Sequence, residues 1–192
     1  MAALAALEAK MVIENKTYKL VLTALMACLM MLAIFFLRIP IPATTGIIHL
    51  GDGFLFLSVL LLGPKYATAA SAIGPFTANI IAGLTFWAPG TFVIKGLMAT
   101  ISGVFIQQMT KNTPDMPYSK KMAIWITGMG LAGVWMIAAY YVYGSVLLHG
   151  NWYTHLVGIP TDILQVAAGI IMALALSGAL NKTAMSKHFT FK

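Results

Sequence analysis

Three ionisable side chains, Arg38, His49 and Asp52, lie between two long apolar segments of this 192-residue chain. A carboxylate and an imidazole at the mouth of an apolar membrane segment are costly there, so such residues commonly have a functional role. Lys95 occurs inside a later apolar segment, and Asn79 places an amide in another. Donors and acceptors in these surroundings are suited to orienting a small polar ligand.

Aromatic side chains accompany these polar groups near the ends of the same segments. Phe86 and Trp87 close the segment that contains Asn79, and Trp152 precedes a further apolar segment. Together they predict a lid and a pocket with aromatic walls for a ring. The residues predicted to bind substrate are Arg38, His49, Asp52, Asn79, Phe86, Trp87, Lys95, Trp152, His155, Asp162 and Gln165.

Several of these residues have a structural interpretation that stays open at this point. Trp87 and Trp152 are also suited to anchoring the chain at a membrane interface. Asp52 can pair with Lys95 in a purely structural ion pair. Asp162 follows a proline and a threonine and can stabilise the first turn of a helix.

The elements that position these residues are apolar spans. Hydrophobic residues make up 60% of the chain and charged residues only 9%, against the ~25% charged residues of soluble domains. A membrane can cover so much apolar surface, whereas a soluble core of this size cannot. We therefore expect one all-α membrane domain over residues 1–192, with residues 1–16 as an N-terminal lead-in and six transmembrane helices in one bundle. The spans lie at about 18–37, 48–63, 66–84, 91–109, 121–147 and 157–180.

Basic residues predict the orientation of these spans. On one side of the membrane, the loops and chain ends carry many lysines, whereas the other side carries only Arg38. In membrane proteins, the side with more basic residues is the cytoplasmic one. Both termini of a multi-pass membrane protein are therefore expected in the cytoplasm. The ten lysines counted are Lys10, Lys16, Lys19, Lys65, Lys111, Lys120, Lys121, Lys182, Lys187 and Lys192. They form no stripe on a helix, so a nucleic-acid partner is not expected.

Motifs for enzymatic chemistry are missing from the sequence. It contains no phosphate-binding Gly-x-x-x-x-Gly-Lys-Ser/Thr loop and no His-Glu-x-x-His, and Cys28 is the single cysteine. We expect no enzyme activity, no cofactor and no metal. A stand-alone secondary transporter is the main alternative, although it would favour internal symmetry and a mid-membrane carboxylate that we do not find. An intramembrane enzyme would need a nucleophile and a base at one depth, and the histidines are too scattered for that.

Small residues in the first span predict a packing face. Thr23, Ala24, Ala27 and Cys28 recur at a spacing of four, which allows helices to approach closely in lipid. This face can serve packing inside the bundle or contact with a partner.

Three stretches resemble the substrate-binding (S) components of energy-coupling factor (ECF) vitamin transporters, most strongly the riboflavin-type branch. They are IPIPATTGIIHLGDGFLFLSVLLLGP (39–64), GPFTANIIAG (74–83) and WAPGTFVIKGLMATISG (87–103). The resemblance covers roughly residues 18–110, and the last two spans agree only in number and topology. Cys28 departs from the alanine usual in the family, and Asn79 stands where many relatives have an acidic residue.

The resemblance implies the function and the partners. Such a protein binds a vitamin or its precursor at the outer face and delivers it by toppling on a transmembrane coupling subunit driven by two cytoplasmic ATPases. It also implies that the Thr23, Ala24, Ala27 and Cys28 face contacts the coupling subunit. Hydroxymethylpyrimidine or a pyridoxine-like compound is the first expectation, with pantothenate, riboflavin and cobalamin also open. Lys95 with His49 or Arg38 would suit a phosphate, a carboxylate or a ring oxygen.

Overall fold

A computed structural model describes residues 16–40, 47–111, 116–148 and 152–181 of the chain. Five of its helices are long and apolar enough to cross a membrane. The elements are α1 (Lys16–Phe36), β1 (Arg38–Pro40), β2 (Ile47–His49), α2 (Gly51–Ile81), α3 (Ala88–Thr110), α4 (Tyr118–Val142), a π-helical segment (Tyr143–Leu148), α5 (Trp152–Leu156) and α6 (Ile159–Asn181). Apart from Lys16, where α1 begins, the N-terminal lead-in lies outside the described residues.

Two short strands between α1 and α2 depart from the all-α expectation. β1 pairs antiparallel with β2, and Arg38 stands opposite His49 in the register. Pro40 cannot continue a helix because it lacks a backbone N–H group and its ring fixes φ. Ile39 and Ile48 are β-branched and favour extended backbone. The strands therefore hold the entrance to α2 close to the exit of α1.

Gly63 divides α2 into two arms. Its backbone, with φ 74° and ψ 175°, is not helical, and the next residue is Pro64. Glycine adopts this positive φ without the steric penalty of a Cβ atom. We call residues 51–62 the first arm and residues 64–81 the second arm. The sequence-predicted boundary between spans two and three falls at this break.

Contacts with α3 indicate that the chain reverses direction between the two arms. In chain order they join Asp52 to Lys95, Pro64 to Gly103, Thr68 to Thr100, and Asn79 to Thr91. Partners of the first arm move toward the C-terminal end of α3, whereas partners of the second arm move back toward its N-terminal end. The first arm is therefore parallel to α3 and the second arm antiparallel to it. α2 is a helical hairpin, and Asp52 and Asn79 lie at the same end of the bundle.

α2 is the centre of the packing. It contacts α1, α3 and α6, and α4 covers α3 and α6. Phe56, Leu60 and Met98 are completely buried among these helices. Many large apolar side chains point outward instead, among them Leu25 of α1 and Ile171 of α6. An apolar exterior of this extent suits a bundle surrounded by lipid.

The first arm and α6 approach each other closely at Gly169. A Cβ atom at this position would lie 2.9 Å from the Cβ atom of Asp52. Only a residue without a side chain permits this approach, because packed interiors have no room for an added methyl group. The close crossing places the middle of α6 beside the start of the first arm, where Asp52 lies.

Gly169→Ala is expected to lower the free energy of unfolding by about 1–3 kcal/mol, because the added methyl group overpacks the crossing. Gly178→Ala on the same helix is the matched control, since no atom lies within 4 Å of a Cβ atom there. Chemical unfolding of both variants in detergent micelles measures the difference. Equal free energies of unfolding for the Gly169→Ala and Gly178→Ala variants would contradict the close crossing.

Candidate functional site

A buried ion pair lies at the end of the bundle where the first arm begins. Lys95 of α3 donates a hydrogen bond from Nζ to Oδ1 of Asp52 at 2.6 Å. Both residues are only 1% exposed. An isolated charge at this depth would be very costly, so each side chain depends on the other. The two residues whose chemistry was most conspicuous in the sequence are therefore brought together.

Three further groups complete the surroundings of the ion pair. Gln165 of α6 donates from Nε2 to Oδ2 of Asp52 at 2.8 Å. The Nζ atom of Lys95 also lies 2.9 Å from Sδ of Met136 and 5.6 Å from the ring centroid of Tyr140, both on α4. The cluster thus ties the first arm to α3, α4 and α6 through charge-assisted and cation–π contacts.

A second polar network lies one helical turn away on α3. Asn79 of the second arm donates from Nδ2 to Oγ1 of Thr91 at 2.8 Å. The hydroxyl group of Tyr140 donates to the same Thr91 atom at 3.2 Å. Asn79 is therefore satisfied by a neighbouring helix, and through Thr91 it fixes the orientation of the Tyr140 ring.

Four rings form an aromatic cluster next to this network: Trp87, Tyr140, Tyr143 and His155. The ring centroid of Trp87 lies 6.2 Å from Tyr140, 5.8 Å from Tyr143 and 5.9 Å from His155. Tyr143 is held in place by a 2.7 Å hydrogen bond from its hydroxyl group to the carbonyl oxygen of Phe86. The cluster joins the start of α3, the end of α4, the π-helical segment and α5. Because Tyr140 belongs both to the cluster and to the contacts of Lys95, aromatic and charged groups form one continuous site.

The other sequence-predicted residues lie around this site. Phe86 is 79% exposed, and Trp152 is 49% exposed with its ring 5.5 Å from that of Tyr141. Asp162 is partly buried in the first turn of α6, one turn before Gln165. His49 ends β2 and packs over Gly51.

Arg38 lies in β1, opposite His49, and its side chain is outside the described part.

The four small residues of α1 divide between two faces. Thr23 and Ala27 are buried, and the carbonyl oxygen of Ala27 lies against Gly74 of the second arm. Ala24 and Cys28 are exposed on the outer face of the same helix. One half of the pattern therefore packs within the chain, and the other half is available to lipid or to a partner.

Four contributors were not singled out from the sequence: Thr91, Met136, Tyr140 and Tyr143. Thr91 precedes Lys95 by one helical turn, which places both on one face of α3. Met136, Tyr140 and Tyr143 follow each other at intervals of four and three on one face of α4 and its extension. This spacing was a usable signal. It was obscured because the whole segment is apolar and rich in aromatic residues.

The arrangement is suited to binding. Aromatic faces, hydroxyl groups and amides converge beside a neutralised ion pair, which is the composition of a small-molecule site. Across the described residues, no group of three or more His, Cys, Asp and Glu side chains could hold a metal ion.

The fold and the site together define a helical membrane protein with a polar, aromatic-walled site at one end of its bundle. Residues 14–182 match the family model of the ECF-type riboflavin transporter, S component. The chain belongs to this family of ECF S components, which serve vitamin uptake as transporter components and are not a class of enzymes.

Individual relatives match most of the chain. A protein of Pyrococcus woesei, described only as an uncharacterized protein in the gap 3′ region, is 33% identical over 150 residues, which cover 76% of this chain and 89% of the relative. The thiamine precursor transporter HmpT of Lactococcus lactis subsp. cremoris is 24% identical over 178 residues, covering 92% and 96% of the two chains.

A solved structure is similar over nearly the whole chain. The S component for biotin from an ECF-type ABC transporter superposes with a TM-score of 0.67 at 17% identity, and the match covers 91% of this chain and 96% of the other. At this level of identity the likeness concerns the fold, and the ligand does not follow from it.

Lys95→Met is expected to destabilise the protein by about 3–5 kcal/mol, because it leaves the Asp52 carboxylate buried without its cation. The double variant Lys95→Met with Asp52→Asn removes both charges and is expected to recover most of this loss. Lys111→Met, an exposed lysine just beyond the far end of α3, is the matched control. Unfolding in detergent measures all three, and a single variant as stable as the double variant would contradict the pairing.

Proposed function

We propose that this chain is the substrate-binding subunit of an ECF-type importer and takes up a vitamin or vitamin precursor from outside the cell. The observation that carries the proposal is the continuity between the buried Asp52–Lys95 pair and the aromatic cluster, at one end of a bundle of this family. Aromatic walls bind a flat ring, and the directed polar groups beside them orient it.

A heterocyclic vitamin precursor is the first candidate substrate. Hydroxymethylpyrimidine or a pyridoxine-like compound has the size and flatness that four clustered rings accommodate, and the similarity to a thiamine precursor transporter supports this choice. Pantothenate, riboflavin and cobalamin are the competing candidates, since one fold accommodates different ligands.

Membership of the ECF S-component family supports the proposed partners. The chain works with a transmembrane coupling subunit and two cytoplasmic ATPases, and it topples in the membrane to release its ligand inside. The outer face of α1 contacts the coupling subunit. Ala24 and Cys28 are its small residues, and Leu20, Val21 and Leu25 provide exposed apolar surface around them.

The chain crosses the cytoplasmic membrane six times with both termini inside. The reversal at Gly63 supports this count, because each arm of α2 then makes its own crossing. Lys65 lies just after the reversal, on the side where the other loop lysines collect. The aromatic cluster lies at the opposite, outer end.

Side-specific labelling tests this topology. In a Cys28→Ala background, Phe86→Cys is expected to react with a membrane-impermeant maleimide on intact cells, because residue 86 is exposed at the outer end. Lys65→Cys is expected to react only after the cells are permeabilised. A helix that continued through Gly63 would place residue 65 inside the bilayer, so a Lys65→Cys variant unreactive under both conditions would contradict the hairpin.

Ligand identification tests the function itself. The protein purified alone in detergent is expected to yield one stoichiometric vitamin-like compound by mass spectrometry, and titration of the candidate vitamins should confirm it through the fluorescence of the four tryptophans. Asn79→Ala is expected to weaken binding by on the order of 1–3 kcal/mol, because Thr91 loses a polar partner and the Tyr140 hydroxyl group that donates to Thr91 is held less firmly.

Gln107→Ala removes an exposed amide from the other half of α3, and its affinity should equal that of the unmodified protein. A protein that carries no ligand and binds no vitamin would contradict the proposed function. An unchanged affinity in the Asn79→Ala variant would contradict the site as described.

A further inference from the structure

The ammonium group of Lys95 is engaged within the protein. It donates to Oδ1 of Asp52 at 2.6 Å and lies 2.9 Å from Sδ of Met136 and 5.6 Å from the ring centroid of Tyr140. Two of its three N–H donors are thus hydrogen-bonded inside the protein. The residue is only 1% exposed, so a ligand anion has little access to the ammonium group.

The charge of Lys95 is neutralised as well. One carboxylate oxygen of Asp52 accepts a hydrogen bond from Lys95, and the other accepts a hydrogen bond from the Gln165 amide. An anionic ligand that took over Lys95 would leave Asp52 buried without its cation, which is a strongly unfavourable exchange.

The described lysine and carboxylate side chains near the site do not favour an anion. Among them, Lys95 carries a positive charge, and Asp52 and Asp162 are carboxylates. These side chains therefore provide no excess of positive charge to attract a phosphate or a carboxylate. The remaining recognition groups are uncharged or weakly basic: the faces of Trp87 and Tyr143 and the ring of His155.

We infer that the site selects an uncharged, flat nitrogen heterocycle carrying hydroxyl or amino groups, and that it rejects carboxylated and phosphorylated relatives. The inference rests on the proposed function and names the ligand class of the same site. The Asp52–Lys95 pair acts as the determinant of this selectivity, since it withholds the buried cation that an anion would need.

Paired ligands that differ only in charge test the inference on the unmodified protein. Pyridoxine is compared with 4-pyridoxic acid, and hydroxymethylpyrimidine with its phosphate monoester, by calorimetry or tryptophan fluorescence. The uncharged member of each pair is expected to bind about tenfold tighter or more, because the site offers no cation to neutralise the charge of the anionic member. Equal or tighter binding of the acid or the phosphate would overturn the inference while supporting the proposed function. Binding of none of the four compounds would overturn the inferred ligand class, whereas the proposed function would then be decided by the ligand identification described above.

Two variants test the role of the ion pair. Asp52→Asn keeps the shape of the side chain but releases the charge of Lys95, so the affinity ratio is expected to shift about tenfold or more toward 4-pyridoxic acid. The double variant Asp52→Asn with Lys95→Met is the charge-balanced control and is expected to show no such shift. An equal shift in both variants, or none in Asp52→Asn, would overturn the role of the pair. If Asp52→Asn does not fold, the ligand pairs on the unmodified protein decide the selectivity.

Discussion

The buried Asp52–Lys95 pair is the interaction on which the other features of this bundle depend. Two opposite charges 2.6 Å apart are tolerable in apolar surroundings only when both are fully satisfied. Satisfying them requires the first arm of α2, α3, α4 and α6 to meet at one point. The close crossing at Gly169 serves this requirement, because it brings Gln165 within reach of Asp52. The reversal at Gly63 returns the second arm, with Asn79, to the same end of the bundle.

The polar groups of the site divide into two kinds. The ion pair, with Gln165 and Met136, is closed on itself and holds helices together. The aromatic cluster is more open, and its rings are positioned by contacts behind them, such as the bond from Tyr143 to Phe86 and the bond from Tyr140 to Thr91. Rigid rings with fixed orientations lose little entropy on binding a flat ligand, which makes them effective recognition groups. In the proposed function, the charges stabilise the frame and the uncharged groups recognise the ligand.

Much of the frame could be predicted from the sequence, because it depends on simple physical quantities. The length of the apolar spans and the asymmetry of the lysines need no tertiary information. The boundary between the second and third spans was visible for a local reason, since Pro64 restricts the backbone and Gly63 permits a positive φ. The two short strands were not predicted, because pairing depends on where β2 lies relative to β1.

The site was less predictable, because a sequence shows which groups are costly to bury and not which partners satisfy them. Asp52 and Lys95 were recognised as candidates for a ligand or for each other, and only the fold brings them into contact. Thr91 and Tyr140 escaped notice because hydroxyl groups are unremarkable in apolar helices until two donors converge on one of them. The small residues of α1 illustrate the same limit, since a repeat of four fits two adjacent helix faces and packing alone decides which face is buried. A charged residue in a membrane span is thus a reliable sign of a constraint. Whether the constraint concerns a ligand or the fold depends on how far the charge is already satisfied within the protein, and Lys95 is buried in contact with Asp52, Met136 and Tyr140.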